Sequence, residues 1–213
     1  MSTLDGPSAA FWDDRYRTAD PGWGTQPNAV LRRLLDDLAP TPGDALDLGA
    51  GHGGDALWLA AAGWRVRAVD VARTALDRID AAAAERGLAD RVATEAHDLT
   101  ATFPDGTFDL VTASYFQTPV KIDRDAILRR ATDAVRRGGL LVVVDHGSFA
   151  PWSWRPDDHP GFPTPDELAT SIGVDGAGAW ELLVCAAPER EATGPDGEQA
   201  MVADTVVVAR RTA

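Results

Sequence analysis

The sequence has little cysteine, few positive charges and no long hydrophobic run, and each shortage excludes a class of protein. Its single cysteine, Cys185, cannot form an internal disulfide or a cysteine-rich zinc cluster, and its apolar surroundings predict a buried structural thiol. Lys and Arg number 20 against 33 Asp and Glu, so a net charge of -13 would repel DNA or RNA. No stretch approaches ~18 consecutive apolar residues, and residues 1–30 lack an apolar signal core. We therefore expect a cytoplasmic protein without a nucleic-acid or membrane partner.

What the sequence does contain is typical of one globular α/β domain. Hydrophobic residues make up 45% and charged residues 25% of its 213 residues, a length that suits a single core. We expect one domain with three parts: an N-terminal segment with a helix over 1–40, a central core over 44–145, and a part over 146–213 that ends in a hairpin. Either a monomer or a homodimer is compatible with this composition.

Helical and extended patterns alternate along the chain. Apolar periodicity predicts helices over 27–38, 55–62, 74–86, 123–137 and 164–172. Short apolar runs predict strands over 45–48, 65–69, 92–95, 108–113, 140–144, 180–186 and 201–209. Strands separated by helices indicate a Rossmann-like, doubly wound, mostly parallel seven-stranded sheet. The turn-forming residues 193–197 predict that the last two strands form an antiparallel hairpin at its edge.

A glycine-rich loop follows the first predicted strand. Asp47 and Leu48 end the strand, and the next residues are Gly49-Ala50-Gly51-His52-Gly53-Gly54. Glycines let the backbone approach a ligand closely. The pattern also fits a dinucleotide fingerprint, which is weak evidence by itself. An NAD(P)-dependent oxidoreductase on a Rossmann fold therefore remains an alternative.

Two carboxylates at strand ends bear on this choice. Asp70, followed by Val71, ends the second strand 21 residues after Gly49, where it could bind the ribose of either a nicotinamide or an adenosyl cofactor. Asp47 lies directly before the loop and would repel the pyrophosphate of NAD, whereas it would attract the ammonium group of S-adenosylmethionine. The loop thus favours S-adenosylmethionine.

The next two strands end in further candidates. Asp98 and Leu99 follow the third strand, where the carboxylate could accept a hydrogen bond from an adenine amino group or cap a turn. The fourth strand ends at Ala113 and delivers residues 114–117 to the carboxyl edge of the sheet, where ligands bind in open α/β folds. We expect this exit to line the reacting end of the site.

These segments together resemble the class I S-adenosylmethionine-dependent methyltransferases. The resemblance rests on 45–53 for the first motif and on 69–70, 97–99, 108–113 and 136–143 for the later ones, with Arg137 where a proline is common. Residues 11–16, 23–24 and 27–28 are similar to a small bacterial branch near the tellurite-resistance and thiopurine-type methyltransferases. In that branch the leading aromatics close over the cofactor, which implies this role for Trp12, Tyr16 and Trp23, although they could instead pack the first helix against the core.

The resemblance implies methyl transfer from S-adenosylmethionine to a small-molecule acceptor by direct displacement, with S-adenosylhomocysteine as product. A non-catalytic S-adenosylmethionine-binding domain is a further alternative. The expected cofactor-binding residues are Trp12, Tyr16, Trp23, Asp47, Gly49, Gly51, Gly53, Asp70, Val71, Asp98, Leu99 and Ala113.

The acceptor pocket is expected where the fourth and fifth strands end. Its predicted residues are Tyr115, Gln117, His146 and Trp152. His146 is the candidate general base, since its ordinary pKa suits proton transfer near neutral pH. His52 and His159 have no second His or Cys at metal-ligand spacing, so no metal site is predicted.

Overall fold

A computed structural model describes residues 7–19, 22, 24–153, 161–194 and 196–213. These residues form helices α1 (Pro7–Thr18), α2 (Ala29–Leu38), α3 (Gly54–Ala61), α4 (Arg73–Glu85), α5 (Arg124–Asp133) and α6 (Pro165–Ile172). Their strands are β1 (Asp44–Leu48), β2 (Arg65–Asp70), β3 (Val92–Ala96), β4 (Phe108–Ser114), β5 (Val135–His146), β6 (Trp180–Ala186), β7 (Glu189–Thr193) and β8 (Gln199–Arg211). None of the described helices is long and apolar enough to cross a lipid bilayer.

The strands form one sheet in the order β3-β2-β1-β4-β5-β8-β6, with β7 paired to β8. Strands β1 to β5 are parallel, and β8 runs antiparallel to both β5 and β6. This arrangement confirms the predicted doubly wound sheet with an antiparallel C-terminal edge. The chain order reverses between β1 and β4, and such a switch point opens a crevice at the carboxyl ends of the strands.

Helices cover both faces of the sheet, so its central strands are apolar on both sides. Along β5, Val142 and Val144 pack with α2, α3 and α4, whereas Leu141 and Val143 pack with α5 and α6. This alternation follows from the two-residue period of a strand. Burial on both faces explains why β5 reads as a continuous apolar run rather than an alternating one.

The boundary between α5 and β5 corrects the prediction of a helix over 123–137. The helix ends at Asp133, and β5 already begins at Val135, which pairs with Phe108. Pairing then resumes between Leu140 and Leu110, so residues 136–139 bulge out of the strand. Gly138 adopts a φ of 82° inside this bulge, so the glycines that predicted a helix stop instead allow an irregular strand.

Two elements were missing from the prediction. Helix α1 mixes apolar and polar residues with little amphipathic signal. Strand β7 is short and pairs only with β8, so the turn over 193–197 joins β7 to β8 rather than β6 to β8. The C-terminal hairpin therefore consists of β7 and the first half of β8, and both additions lie beside the carboxyl edge of the sheet.

Candidate functional site

Two adjoining cavities open at the carboxyl ends of the strands. The smaller has a volume of about 80 Å³, and the larger about 640 Å³. They meet at a shared wall formed by Trp12, Tyr16, Gly49, Tyr115 and Gln117. The geometry therefore brings the glycine loop, the N-terminal aromatics and the β4 exit together, as the sequence predicts.

The glycine loop is shaped by close contacts at two positions. Gly49 has a φ of 68°, and a Cβ there would lie 2.6 Å from Phe116 Cδ2. Gly53 has a φ of 81°, and a Cβ there would lie 2.7 Å from Ile79 Cγ1. Any larger residue would be strained at both positions. Gly49 lines both cavities, whereas Gly53 lines neither, so Gly53 serves the packing of the loop on α4.

Asp70 lies at the end of β2 and holds the loop in place. Its Oδ2 accepts from the Gly51 N–H and its Oδ1 from the Ala72 N–H, both at 2.9 Å. The Tyr16 hydroxyl also donates to this carboxylate, and burial together with Asp70 raises the pKa of Tyr16. Burial raises the pKa of Asp70 to about 6, although the backbone N–H groups lower it. Asp70 also lines the smaller cavity, where its carboxylate can accept from hydroxyl groups of a ligand.

The smaller cavity is an apolar slot with a carboxylate at its edge. Val71, Leu99 and Phe116 supply apolar walls, and Asp98 lies beside them. Asp98 Oδ1 accepts from the Thr100 N–H at 3.0 Å and from the Thr100 hydroxyl. Asp98 thus caps a turn and also lines the slot. A flat heteroaromatic ring with an amino group fits this chemistry.

Two buried polar atoms have no hydrogen-bond partner among the described residues, and both belong to residues that line the larger cavity. They are Asn28 Nδ2 and Asp47 Oδ2, whereas the Ser114 hydroxyl forms a hydrogen bond that lowers the pKa of Asp55. Buried polar groups are rarely left unpaired, so these atoms indicate a polar ligand. An amino-acid group, with an ammonium and a carboxylate, would supply both a donor and an acceptor.

The same wall of the larger cavity is acidic. Asp47 is only 2% exposed, and its Oδ1 accepts from the Thr112 hydroxyl at 2.8 Å. Asp55 accepts from the Asn28 N–H at 2.6 Å. Burial and the neighbouring Asp55 raise the pKa of Asp47, and burial also raises the pKa of Asp55. Burial and mutual repulsion oppose the ionisation of these two neighbouring carboxyl groups, and a cationic ligand between them would relieve that repulsion.

Helix α1 places aromatic side chains over the cavities. The Trp12 and Tyr16 rings stack with centroids 5.4 Å apart, and Trp12 Nε1 donates to Thr118 Oγ1 at 3.2 Å. Tyr16 also contacts the buried His52, with ring centroids 5.0 Å apart. The helix thereby connects the glycine loop to the β4 exit. Trp23, the third predicted lid residue, lies outside the described residues.

The acceptor side is built around Tyr115 and His146. Their rings stack with centroids 3.9 Å apart and planes inclined by 6°, and Tyr115 has a φ of 50°, uncommon for a bulky residue. Gln117 Oε1 accepts from the His146 N–H at 2.9 Å. Desolvation lowers the pKa of His146, with Asp204 raising it and Arg190 lowering it. The imidazole is therefore neutral near pH 7 and able to accept a proton.

Strand β7 contributes residues that the sequence did not indicate. Arg190 and Glu191 line the larger cavity. Arg190 Nε donates to Asp204 Oδ2 at 2.8 Å, and Arg190 Nη2 donates to the Tyr115 hydroxyl at 2.9 Å. The Tyr115 hydroxyl in turn donates to Asp204 Oδ1 at 3.2 Å. Only the pairing of β7 with β8 brings these residues to the site, and no local sequence motif predicts this pairing.

Two other predicted residues do not line the cavities. Ala113 is fully buried beneath the β4 exit, and Trp152 lines neither cavity, so its role as a substrate wall stays a prediction. A buried ion pair between Arg124 and Asp145 braces the exits of β4 and β5, because Arg124 Nε also donates to the Phe116 carbonyl at 2.6 Å. Burial raises the pKa of Asp145 to about 6, although Arg124 lowers it.

In the described part of the chain, no cluster of three or more His, Cys, Asp or Glu residues could hold a metal ion.

Comparison with known sequences points to one class of protein. Residues 45–139 match the family described as a methyltransferase domain. Nocamycin O-methyltransferase from Saccharothrix syringae is 36% identical over 135 residues, which cover 60% of this chain and 48% of that protein. Cypemycin N-terminal methyltransferase from Streptomyces sp is 35% identical over 129 residues, which cover 58% and 51%. The chain thus spans about half the length of these curated relatives.

Solved structures share the fold over most of the chain. A structure from work on the conversion of a disulfide bond into a thioacetal group during echinomycin biosynthesis has a TM-score of 0.71 at 23% identity, covering 95% of this chain and 91% of that one. TehB from Haemophilus influenzae has a TM-score of 0.66 at 18% identity, covering 96% and 67%. At these identities the likeness concerns the fold alone.

Proposed function

We propose that this chain, whose residues 45–139 carry a methyltransferase domain, transfers a methyl group from S-adenosylmethionine to a small-molecule acceptor. The observation that carries the proposal is a pair of carboxylates at neighbouring strand ends. Asp47 presents a buried, unpaired oxygen on the wall of the larger cavity, and Asp70 lines the smaller one. The cavities meet at Gly49, so one elongated cationic ligand can contact both carboxylates.

The residues present fit each part of that cofactor. Asp47 and Asp55 would hold the ammonium group, and Asn28 Nδ2 would donate to the carboxylate. Asp70 would accept from the ribose hydroxyls, and Asp98 from the adenine amino group. When bound, S-adenosylmethionine supplies a methyl group already activated on a positively charged sulfur.

The protein then has to align the acceptor and exclude water. Holding two reactants at about 3 Å in a fixed orientation contributes several kcal/mol by proximity. Tyr115 and Gln117 line the wall shared by both cavities, beside His146. We infer that His146 Nδ1 or Nε2 takes the proton of the acceptor, since its pKa is lowered and its backbone N–H is fixed by Gln117.

A small acceptor is the class that the relatives support. Two of them are named for O-methylation and N-terminal methylation, and a third, from Mycobacteroides abscessus, is a 2-heptyl-1-hydroxyquinolin-4(1H)-one methyltransferase, 30% identical over 62% of this chain. A cavity of about 640 Å³ suits an acceptor of that size together with part of the cofactor. An oxidoreductase is less well supported, because Asp47 and Asp55 would repel a pyrophosphate.

Several further expectations belong to this proposal. The shortage of cysteine and the net charge of -13 support a cytoplasmic location and the lack of a nucleic-acid partner. The division into a lid and helix over 1–40, a cofactor-binding core over 44–145 and a substrate-side part over 146–213 is likewise proposed.

Calorimetric titration tests the cofactor directly. S-adenosylmethionine and S-adenosylhomocysteine are expected to bind with micromolar affinity, about 8 kcal/mol, while NADH gives no saturable heat. NADH binding without S-adenosylhomocysteine binding would favour the oxidoreductase. A screen of small hydroxyl and amine acceptors for S-adenosylhomocysteine release then tests catalysis. Tight cofactor binding without turnover on any acceptor would favour the non-catalytic alternative.

A further inference from the structure

The larger cavity carries one positively charged side chain in an otherwise acidic wall. Among the described residues that line it, Asp47, Asp55 and Glu191 are acidic, and Arg190 alone is permanently cationic. Its hydrogen bond to the Tyr115 hydroxyl places it on the acceptor side.

Arg190 is held rigidly by partners that are themselves buried. Asp204 is fully buried and accepts from Arg190 Nε at 2.8 Å and from Arg190 Nη2 at 3.3 Å. The second N–H of Nη2 donates to the Tyr115 hydroxyl. A guanidinium fixed in this way has already lost its rotamer freedom, so it binds a ligand at a smaller entropic cost.

One edge of this guanidinium is still available. Its three hydrogen bonds use Nε and Nη2, and neither N–H of Nη1 bonds to any residue that the structure describes. The Arg190 side chain is 33% exposed, although its carboxylate partner is buried. The free Nη1 edge can therefore donate to a ligand without releasing Asp204 or Tyr115.

We propose that, if the chain is the methyltransferase inferred above, Arg190 binds a monoanionic oxygen group of the methyl acceptor, such as a carboxylate. The acceptor class is then a small planar acid that lies against the Tyr115 and His146 stack, with its anionic group on Arg190 Nη1. Asp204 and the Tyr115 hydroxyl are positioning residues for the guanidinium. A dianion is disfavoured, because Glu191 is adjacent and Asp204 already neutralises much of the Arg190 charge.

The test uses benzoate and its neutral isostere benzamide as probes, titrated by NMR into the full chain saturated with S-adenosylhomocysteine. Benzoate is expected to bind at least tenfold more tightly than benzamide, within the ~10- to 100-fold that a charge-assisted hydrogen bond contributes. Its affinity should also fall as salt rises, because the contact is partly exposed. Equal binding of the two probes, or binding of neither, would overturn the proposal.

Variants of Arg190 test whether this residue causes the preference for benzoate over benzamide. Arg190→Gln should abolish the preference for benzoate, and Arg190→Lys should keep part of it. Because Arg190→Gln leaves the buried Asp204 carboxylate without its cationic partner, the double variant Arg190→Gln with Asp204→Asn serves as a second, neutral version of the pair. Arg210→Gln, which removes an exposed arginine paired with Glu181 on the outer strands, is the control and should retain the wild-type preference. A preference that survives in the double variant would assign it to another group.

Failure of this proposal is distinct from failure of the proposed function. The proposed function fails if S-adenosylhomocysteine does not bind in calorimetry, whatever the probes do. The acceptor class fails if S-adenosylhomocysteine binds normally while benzoate shows no advantage that depends on Arg190.

Discussion

The two ends of the cleft are built in different ways. The cofactor end takes Asp47, Gly49, Asp70 and Asp98 from three successive strand exits, within about a quarter of the chain. The acceptor end takes Tyr115, His146, Arg190 and Asp204 from β4, β5, β7 and β8, whose pairing spans almost 90 residues. The cofactor end is built from similar strand ends that follow one another along the chain. The acceptor end depends on tertiary contacts between strands that are far apart in sequence. A domain can therefore keep its donor site while the acceptor site changes by rearrangement of the C-terminal strands.

Removal of the proposed base, His146, should have the largest effect on turnover, and it should leave cofactor binding intact. We expect His146→Ala to lower kcat on a true acceptor about 100-fold or more, the lower range for lost general-base catalysis. Affinity for S-adenosylhomocysteine should stay within twofold, because His146 lies on the acceptor side. Turnover within a few-fold of wild type would show that His146 is not a general base and that the protein acts only by aligning the acceptor with the methyl donor.

Loss of the ribose carboxylate should damage the cofactor end. Asp70→Ala is expected to weaken S-adenosylmethionine binding by about 1.5–3 kcal/mol, as for lost charge-assisted hydrogen bonds. Asp80→Ala is a matched control, since Asp80 lies exposed on α4. Unchanged affinity in a folded Asp70→Ala protein would remove this residue from the site.

The cofactor end should also respond to pH. The pKa of Asp70 is raised to about 6, so in the free protein this carboxyl gains a proton as the pH falls through 6. If the cofactor requires the ionised form, affinity should fall roughly tenfold between pH 7 and pH 5. The raised pKa values of Asp47 and Asp55 act in the same direction. Calorimetry across this range checks the expectation, and a flat profile would contradict it.

The same shift predicts the opposite trend for folding stability. The folded pKa of Asp70 lies above its ordinary value of 3.8, so the folded state binds the proton more tightly than the unfolded state does. This contribution is fully present below pH 3.8 and is lost as the pH rises through 6. Low pH should therefore weaken cofactor binding without destabilising the fold through this residue.

The smallest expected effect concerns the segment that connects the two ends. Helix α1 contacts Asp70 through Tyr16 and the β4 exit through Trp12. We expect the described residues within 11–28 to be mobile without cofactor and ordered with it, because Trp12 and Tyr16 line both cavities and a bound ligand would select the closed form. Limited proteolysis of this segment should slow several-fold in S-adenosylhomocysteine. Equal cleavage with and without the ligand would argue that α1 is only a packing element.

Much of the fold could be predicted because its signals are local. The apolar runs of β1 to β6 and the caps of α2 and α6 are readable in windows of a few residues, as Asn28 and the Thr164-Glu167 capping box illustrate. The end of α5 was misplaced because Gly138 and Gly139 suit both a helix stop and a strand bulge. Only the pairing of β5 with β4 distinguishes these two structures.

The site could be predicted where its residues lie at strand ends. Asp47, Asp70 and Asp98 lie at or just after the ends of β1, β2 and β3, so sheet topology is enough to bring them to one edge. The same holds for Tyr115, Gln117 and His146 at the ends of β4 and β5. Arg190 could not be anticipated, because its partner Tyr115 lies 75 residues away in sequence and β7 has no distinctive pattern. Trp152 was favoured for its aromatic character, but it lines neither cavity, so its role stays a prediction.

The position of β8 in the sheet also governs the order in which the molecule can be assembled. This strand pairs with β5, β6 and β7, although it follows all of them along the chain. During synthesis, β5 therefore presents an open edge until residues 199–211 have left the ribosome, and such an edge invites aggregation. The non-local pairing also raises the contact order and slows folding. Asp204 arrives with β8, so the acceptor half of the cleft can form only in the last step of folding.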